Sequence, residues 1–357
     1  IKKTEWIPKY GENRIAGMVE TRPDWCLSRQ RYWGTPIPLI YCLKCHTPVA
    51  DSDTLQKIED VFKRGGSDLF YQTELGDFVS DSLSCSKCGS KDFKKEEDIL
   101  DVWFDSGVSH ESVLASRAYS LSWPADMYLE GSDQHRGWFQ TSLIPAVALR
   151  QNAPYKTVLT HGFTVDGQGK KMSKSQGNVV SPQEVIKDYG ADILRLWVAS
   201  SDYREDVRVS PDIIKSLSEL YRKTRNTFRY LIGNTGDYPA GAHKEFLAEN
   251  LKEFWDIDKF VLSELNDIVK TVKDAYSAYE FHKVVYFVNQ FSSVTLSSFY
   301  FDILKDRLYT FGASCRERRF ASRSPSAYTK FQYIFFKLET TSITFERNSL
   351  TEDSRFF

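Results

Sequence analysis

The chain has 357 residues, of which 41% are hydrophobic, 14% aromatic and 27% charged, and this composition excludes a wholly disordered protein. Lys and Arg total 47 against 48 Asp and Glu, so the net charge of -1 excludes a uniformly basic nucleic-acid coat but permits a local basic patch. No apolar run reaches the roughly 20 residues of a membrane span, and we expect a globular protein of two or three units without a membrane role.

Residues 1–39 alternate apolar and turn-forming residues, which predicts short strands and loops. They include the segment Asp24-Trp25-Cys26-Leu27-Ser28-Arg29-Gln30-Arg31. Its arginines, Arg29 and Arg31, are either weak candidates for a polyanion contact or part of a solvated charged face. The chain begins at Ile1 without an initiator Met or a signal-peptide pattern, so we expect a fragment. Four of its six cysteines form two Cys-x-x-Cys pairs, which favours a reducing compartment, and we expect the cytoplasm.

Residues 40–97 are more polar and contain two Cys-x-x-Cys pairs, formed by Cys42, Cys45, Cys85 and Cys88. Four thiolates complete a tetrahedral zinc site without an open position, which is typical of structural zinc. The gap between the pairs exceeds the roughly 15 to 20 residues of a compact zinc ribbon, so we expect a hairpin or small lobe between them. The alternative is four reduced surface cysteines, which the equal spacing of both pairs disfavours.

Residues 98–210 contain two strand-loop-helix patterns. A strand at Met127-Tyr128-Leu129 leads through a short loop into an apolar-periodic helix over about 134–150. The spacing predicts one apolar face on this helix, formed by Trp138, Phe139, Leu143, Ile144, Val147 and Ala148. A second strand, at 157–160, leads through a Gly-rich loop to a helix that starts at Ser181 with proline in its first turn. The alternation predicts an α/β sheet.

Polar residues follow both of these strands. Open α/β sheets bind ligands at the carboxyl ends of their strands, where Glu130, Gly131, Asp133 and His161 stand. Carboxylates there suit an ammonium group or ribose hydroxyls, and a neutral imidazole suits a hydrogen bond to a polar ligand. Two structural alternatives stay open, because Asp133 also suits a helix N-terminus and a lone histidine is usually structural.

The loop after the second strand contains three glycines around three lysines, in the order Gly167-Gln168-Gly169-Lys170-Lys171-Met172-Ser173-Lys174-Ser175-Gln176-Gly177-Asn178. A flexible backbone that carries point charges can close over a phosphate chain. The alternative is a solvated basic turn, which the Met-Ser-Lys-Ser order within glycines disfavours. The loop therefore predicts phosphate binding.

Residues 211–311 have the apolar spacing of a helical bundle. A strip of basic residues crosses its start, and such a strip is most often a solvated helix face. This strip includes Arg222 and Arg225. Residues 312–357 lose the apolar spacing and are rich in Arg and Ser, so we predict no coherent element in this anomalous tail.

Several of these motifs resemble one family. Lys171-Met172-Ser173-Lys174-Ser175 matches the signature loop of the class I aminoacyl-tRNA synthetases. The segments Leu100-Asp101-Val102-Trp103-Phe104-Asp105-Ser106-Gly107 and Leu129-Glu130-Gly131-Ser132-Asp133-Gln134-His135-Arg136-Gly137-Trp138-Phe139 resemble the isoleucyl-tRNA synthetases of bacterial or organellar type. The resemblance extends from residue 1 to about residue 311.

The resemblance implies a fold and a domain order. Residues 98–210 would be the second half of a Rossmann-type catalytic domain, preceded by the zinc-binding insert at 40–97 and by strands at 1–39 that also include the exit from an editing domain. Residues 211–311 would be the first part of the anticodon-binding helical bundle, in which Arg222 and Arg225 would be candidates for tRNA contact.

The resemblance also implies substrates and residue roles. ATP with Mg²⁺, L-isoleucine and tRNA(Ile) would be the ligands of a monomeric isoleucine-tRNA ligase. The signature loop would bind ATP, with Lys171 and Lys174 as its catalytic residues, and His161 would assist. The aminoacyl-adenylate would contact Glu130, Gly131, Asp133, Gln134, Trp138 and Trp103, although a tryptophan on a helix face is more often part of the core.

Two expected elements of the family are missing from the sequence. It contains no His-x-Gly-His element, and no editing domain precedes Asp24. We therefore expect a catalytically incomplete fragment. Two alternatives stay open, a non-catalytic tRNA-binding remnant and the valine or leucine relative of the isoleucine enzyme.

Overall fold

The computed structural model describes residues 1–116, 119–235 and 250–312, together with Cys315, Arg318, Phe320 and Ala321. The chain forms two compact units, Ile1–His161 and Gly162–Phe357. Most of the tail predicted to be anomalous lies outside the described residues. Among the helices of the described ranges, none is long and apolar enough to cross a membrane.

The first unit contains short strands and five α-helices within its described residues. The strands are β1 (Glu5–Ile7), β2 (Ser28–Arg29), β3 (Ile40–Cys42), β4 (Pro48–Val49), β5 (Phe93–Lys95), β6 (Ile99–Leu100), β7 (Ala125–Gly131) and β8 (Tyr155–His161). The helices are α1 (Tyr10–Glu20), α2 (Ser52–Gln72), α3 (Leu75–Phe78), α4 (Val102–Gly107) and α5 (Trp138–Arg150).

A parallel sheet in the order β1-β8-β7 organises this unit. Tyr128 and Val158 pair across β7 and β8 and are buried, with α5 adding Phe139 and Leu143 to the same core. Because β7 and β8 are parallel and in register at Gly131 and His161, both strands end at the same edge of the sheet.

Helix α1 corrects the prediction of only strands and loops in residues 1–39. Its buried positions are Gly11 and Ile15, and Val19 packs partly buried against the same core. The sequence obscured this helix because Gly11 and Gly17 are typical of turns, while the apolar face is narrow. Tertiary packing of Ile15, which is fully buried, stabilises a helix that local propensity does not favour.

Helix α5 begins at Trp138, about four residues later than predicted, because Ser132–Arg136 form a 3₁₀ turn. Its buried face also differs from the apolar stripe of the sequence. Val147 is exposed, whereas Gln140 is buried and donates a hydrogen bond to the carbonyl of Met18 at 3.1 Å. A buried polar group is tolerated here because it has a partner.

The insert between β3 and β5 has its own small core. Strands β4, β3 and β5 form an antiparallel sheet, and Ile58, Phe70 and Phe78 from α2 and α3 pack on it. The two helices occupy the gap between the Cys-x-x-Cys pairs. Ile40 pairs with Lys95, so the insert begins and ends on adjacent strands.

The second unit begins with a parallel pair of strands and continues as helices. The described elements are β9 (Thr164–Asp166), α6 (Pro182–Tyr189), α7 (Ala191–Ser200), β10 (Val207–Val209), α8 (Pro211–Thr235), α9 (Asp256–Ser277), α10 (Phe281–Gln290), a π-helical segment (Phe291–Tyr300) and α11 (Phe301–Tyr309). Pro182 occupies the first turn of α6, as predicted from the sequence.

A large apolar core joins the bundle helices, and one ion pair lies inside it. Val261, Leu296 and Leu304 are fully buried in this core. Arg307 donates to both oxygens of Asp258 at 2.9 and 3.0 Å, and the Tyr300 hydroxyl donates to the same carboxylate at 2.7 Å.

Candidate functional site

The carboxyl ends of β7 and β8 bring three of the predicted residues together. A Cβ atom on Gly131 would lie 2.6 Å from Oδ1 of Asp133 and 3.7 Å from Cε1 of His161, so a larger residue at this position would displace the Asp133 carboxylate. Glu130 immediately precedes this point and is exposed. The edge of the sheet therefore presents two carboxylates and an imidazole around a backbone without side-chain bulk.

Gln134 fixes the turn that follows β7. Its Nε2 donates to Asp133 at 3.0 Å, and its Oε1 accepts the backbone N–H of Trp138 at 2.9 Å. The second bond satisfies a free donor at the start of α5. The same side chain thus positions the Asp133 carboxylate and begins the helix.

Trp103 and Trp138 lie on either side of this turn. A Cβ atom on Gly137 would lie 2.5 Å from Oε1 of Gln134 and 3.2 Å from carbons of the Trp103 ring, so the Trp103 ring packs closely against this glycine. Trp103 remains 44% exposed. Trp138 donates from Nε1 to the Ser106 carbonyl at 3.0 Å and stacks on Tyr128. Trp103 is thus an open apolar wall, whereas Trp138 is partly built into the core.

Two residues of this unit organise the site and were not selected from the sequence. His135 is fully buried, its Nδ1 lies 2.8 Å from the Ser132 carbonyl, and burial lowers its pKa. A neutral imidazole that donates from Nδ1 satisfies this geometry. Asp101 accepts hydrogen bonds from Trp25, Arg29 and the backbone N–H of Trp103. Only the fold brings these partners together.

The lysine loop of the second unit follows β9. Val165 forms an antiparallel bridge with Lys171, and Gly169 turns the chain with a φ of +81°. Residues Lys174–Gln176 form a 3₁₀ turn that ends at Gly177, whose φ is +65°. Positive φ values of this kind favour glycine, so two of the three glycines in the loop have a defined conformational role.

The signature residues divide between the core and the surface of this unit. Met172 packs against the buried cluster of Val185, Ile193, Val209 and Ile214. Lys171 and Lys174 are exposed, and the hydroxyls of Ser173 and Ser175 lie 3.2 Å apart. Met172 therefore anchors the loop, which presents two cationic side chains and two hydroxyls to solvent.

The four predicted cysteines converge in the insert, with their sulfur atoms all within 4.8 Å of one another. Sγ of Cys42 lies 3.6 Å from Sγ of Cys88, and Sγ of Cys45 lies 3.5 Å from Sγ of Cys85. These distances exceed a disulfide bond but suit sulfurs that share one tetrahedral ion at about 2.3 Å. Hydrogen bonding at Thr47 lowers the pKa of the Cys45 thiol to about 6, whereas burial and the neighbouring sulfurs raise the pKa of Cys88 to about 12.

The two cysteine pairs have the same backbone geometry. In the first, the N–H of His46 donates to the Cys42 carbonyl at 2.9 Å, and in the second the N–H of Gly89 donates to the Cys85 carbonyl at 2.8 Å. His46 and Gly89 both adopt positive φ, of 55° and 70°. Each pair is therefore a tight knuckle that turns two thiols toward the other pair.

The four arginines proposed for RNA contact differ in availability. Arg29 donates to Asp101 at 2.6 Å and to the carbonyls of Cys26 and Ser28, so intramolecular bonds hold its guanidinium. Arg31 is exposed on the adjoining loop. Arg222 and Arg225 are exposed three residues apart on α8, so they share one face of the helix.

Two family models match the chain. Residues 1–210 match the tRNA synthetases class I (I, L, M and V), and residues 258–324 match the anticodon-binding domain of tRNA ligase. The first match covers more than half of the chain and includes the strand ends, the insert and the lysine loop.

Curated relatives share about half of the residues. An isoleucine--tRNA ligase of Syntrophotalea carbinolica is 52% identical over 321 residues, and one of Caldanaerobacter subterraneus subsp. tengcongensis is 51% identical over 321 residues. Each match covers 90% of this chain and 34% of the relative. The chain thus spans about a third of the length of the curated relatives it matches.

Solved structures share the fold at lower identity. Mycobacterium tuberculosis methionyl-tRNA synthetase in complex with methionyl-adenylate aligns with a TM-score of 0.60 and 17% identity, over 94% of this chain and 55% of that one. The Agrobacterium radiobacter K84 agnB2 LeuRS, in a ternary complex with tRNA and LeuAMS, aligns with a TM-score of 0.55 and 20% identity, over 94% and 44% of the two chains.

Proposed function

The chain belongs to the class I tRNA synthetases (I, L, M and V), and on this premise we propose that it is part of an isoleucine-tRNA ligase. The whole enzyme would activate isoleucine with ATP to isoleucyl-adenylate, release pyrophosphate, and transfer the amino acid to tRNA(Ile). The observation that carries the proposal is the identity of about half of its residues to ligases of this specificity.

The strand ends of the first unit support the amino-acid part of this reaction. We assign the substrate ammonium to Glu130, whose exposed carboxylate stands beside Gly131. Trp103 and Trp138 provide apolar surface for a branched side chain, while Asp133 and Gln134 contact the adenylate. His161 suits a hydrogen bond to ATP at the end of β8. The carboxylate of the amino-acid substrate is already ionised and attacks phosphorus without a general base. These groups of the protein therefore act by binding and orienting the substrate.

The lysine loop supports the phosphate part. Lys171 and Lys174 are exposed cations on a loop whose Met172 is anchored in the core. We propose that they stabilise negative charge as pyrophosphate leaves, with Met172, Ser173 and Ser175 completing the ATP contacts. Mg²⁺ would arrive with ATP as the counter-ion of its phosphates.

The insert supports a structural zinc site. Four sulfur ligands from Cys42, Cys45, Cys85 and Cys88 fit the tetrahedral demand of the ion and leave no position for a substrate. Zinc would therefore stabilise the insert and take no part in the reaction.

Exposed arginines support contact with tRNA. Arg222 and Arg225 on α8 and Arg31 on its loop carry cations suited to phosphates. For Arg29 we propose an indirect contribution, through the segment that its bond to Asp101 holds. A double R222A/R225A variant should lower the slope of log affinity against log salt, while Arg195→Ala, whose side chain pairs with Asp192, should leave it nearly unchanged.

Binding of non-reactive adenylate analogues tests the proposed specificity. The chain is titrated by calorimetry with isoleucyl, valyl and leucyl sulfamoyl-adenosine. We expect the isoleucyl analogue to bind about 10-fold or more tighter than the valyl analogue, since one methylene contributes about 1–3 kcal/mol in an apolar pocket. Glu130→Gln should weaken binding, and Asp126→Asn at the opposite end of β7 should not.

Other results would contradict the proposal. Preferential binding of the valyl or leucyl analogue would favour the valine or leucine relative. Binding of tRNA without binding of any adenylate analogue would favour the non-catalytic remnant.

A further inference from the structure

The lysine loop is closed at its base by two polar side chains, Asp166 at the end of β9 and Asn178 twelve residues later. We propose that Asp166 and Asn178 are positioning residues that hold residues 167–177 in one conformation. The consequence for ATP rests on the proposed function, because it requires that Lys171 and Lys174 contact phosphates.

Asn178 connects three points of the loop. Its Oδ1 accepts the backbone N–H of Ser173 at 2.9 Å. Its Nδ2 donates to the Lys171 carbonyl at 3.2 Å and to Oδ2 of Asp166 at 2.9 Å. One amide therefore fixes the backbone on both sides of Met172.

Asp166 holds the other arm. Its Oδ1 accepts the backbone N–H groups of Gln168 and Lys170 at 2.9 and 2.8 Å, while Oδ2 accepts from Asn178. Both carboxylate oxygens are thus used, and hydrogen bonding from Asn178 lowers the pKa of this carboxyl. Bonds of this kind, in which the acceptor is ionised, are stronger than those between neutral groups.

Together the two residues, here called the clasp, restrict the lysine-bearing backbone. Lys171 is fixed through its carbonyl, Met172 through its contacts with the core, and Ser173 through its N–H. Lys174 follows Ser173 directly, so the position of its Cα atom is restricted although its side chain is exposed. A loop ordered before it meets phosphate loses less conformational entropy on binding.

Exchanging the two side chains tests the clasp directly. In Asp166→Asn, the new amide N–H group faces another donor in either orientation, because it meets Nδ2 of Asn178 or the backbone N–H groups of Gln168 and Lys170. In Asn178→Asp, two carboxylates face each other. The double variant D166N/N178D restores a donor opposite an acceptor, although the Lys171 carbonyl loses its partner. Gln168→Ala is the matched control, because the clasp uses only the backbone N–H of Gln168.

The readout is the rate of tryptic cleavage after Lys170, Lys171 and Lys174 in the folded 357-residue chain, resolved by mass spectrometry. We expect each single variant to raise these rates about 10-fold, which corresponds to about 1.4 kcal/mol in the opening equilibrium. The double variant should return most of the way to the wild-type rates, and Gln168→Ala should match the wild type. Unchanged rates in both single variants, or a double variant as open as they are, would overturn the proposal.

Amide hydrogen exchange provides a test that does not depend on the folding of any variant. In the wild-type chain, the N–H groups of Ser173, Gln168 and Lys170 should exchange slowly relative to an unstructured peptide. Exchange of the Ser173 amide at the unstructured rate would overturn the clasp.

MgATP separates failure of the clasp from failure of the proposed function. If the loop binds ATP, the nucleotide should slow cleavage after Lys171 and Lys174, and its dissociation constant should rise about 10-fold in each single variant and recover in the double variant. If ATP has no effect while the variants behave as expected, the clasp stands and the ATP role of the loop fails.

Discussion

The indole of Trp138 lies flat on the phenol ring of Tyr128, with ring centroids 4.0 Å apart and planes 4° apart. Tyr128 is buried within β7, so the stack joins the first turn of α5 to the sheet. The indole Nε1 also donates to the Ser106 carbonyl in α4. Trp138 therefore has a structural role in addition to the proposed contact with substrate.

Replacement of Trp138 should accordingly lower stability. Trp138→Ala removes the stack and the hydrogen bond, and we expect it to reduce the free energy of unfolding by about 3 kcal/mol. Trp103→Ala, at a side chain that is 44% exposed, should cost less than about 1 kcal/mol. Urea titration followed by circular dichroism measures both, and equal losses would contradict the assignment of Trp138 to the core.

Zinc content tests the cysteine cluster. The purified chain should contain one zinc ion, and Cys42→Ser should lose it together with the thermal stability of the insert. Cys26→Ser, at an exposed cysteine outside the cluster, is the control and should retain the ion. Plasma mass spectrometry measures the metal. A metal-free chain with the wild-type melting temperature would refute the site.

The pair Glu111 and Arg150 predicts a pH dependence in the first unit. The hydrogen bond from Arg150 holds the pKa of the Glu111 carboxyl below its ordinary value of 4.5. The folded state therefore binds this proton less readily than the unfolded state. The resulting stability is fully present above about pH 4.5 and is lost as the pH falls through the lowered pKa.

Glu111→Gln should remove this contribution. At pH 7 we expect a loss of about 0.5–1 kcal/mol, since the pair is partly exposed and screened by solvent. The difference in the free energy of unfolding between wild type and variant should shrink toward zero near pH 3. Thermal unfolding at both pH values measures it, and Glu20→Gln, at an exposed glutamate, should show no such trend. A difference that is independent of pH would exclude the ion pair as its cause.

The buried pair in the bundle predicts strong coupling between two substitutions. Asp258 and Arg307 are exposed by 0% and 2%, so removal of one leaves an unpaired buried charge. Asp258→Leu should lower the free energy of unfolding by about 3–5 kcal/mol, and adding Arg307→Met should recover much of this loss. A double-mutant cycle by chemical denaturation measures the coupling, and strictly additive losses would contradict it.

The sequence predicted those features that depend on residues close together in the chain. The start of α6 at Ser181-Pro182 follows from the proline in its first turn, and the cysteine cluster follows from two equal spacings. Helix α1 did not follow, because its glycines indicate turns and one buried isoleucine carries its packing. Val147 likewise belongs to the apolar face that the helical spacing predicts for α5, whereas the fold leaves it exposed.

Long-range partners account for most of what the sequence could not predict about the candidate site. Arg29 looks like an available cation, yet Asp101, 72 positions away, holds it at 2.6 Å. The same limit applies to His135, which stacks on Trp6 and lies in a turn that contacts α1. By contrast, Asp166 and Asn178 are only 12 positions apart, but their contact depends on how the glycines turn the loop.

The attachment of the insert that carries the four clustered cysteines makes it a separable module. Its two connections to the remainder of the first unit run side by side, since Ile40 pairs with Lys95, and Leu39 accepts a hydrogen bond from the N–H of Glu96. A chain that leaves and returns at one place can lengthen, shorten or exchange what lies beyond that place without moving the strand ends that carry Glu130 and His161. The fold thus lets the cysteine-bearing lobe diverge independently of the residues at these strand ends.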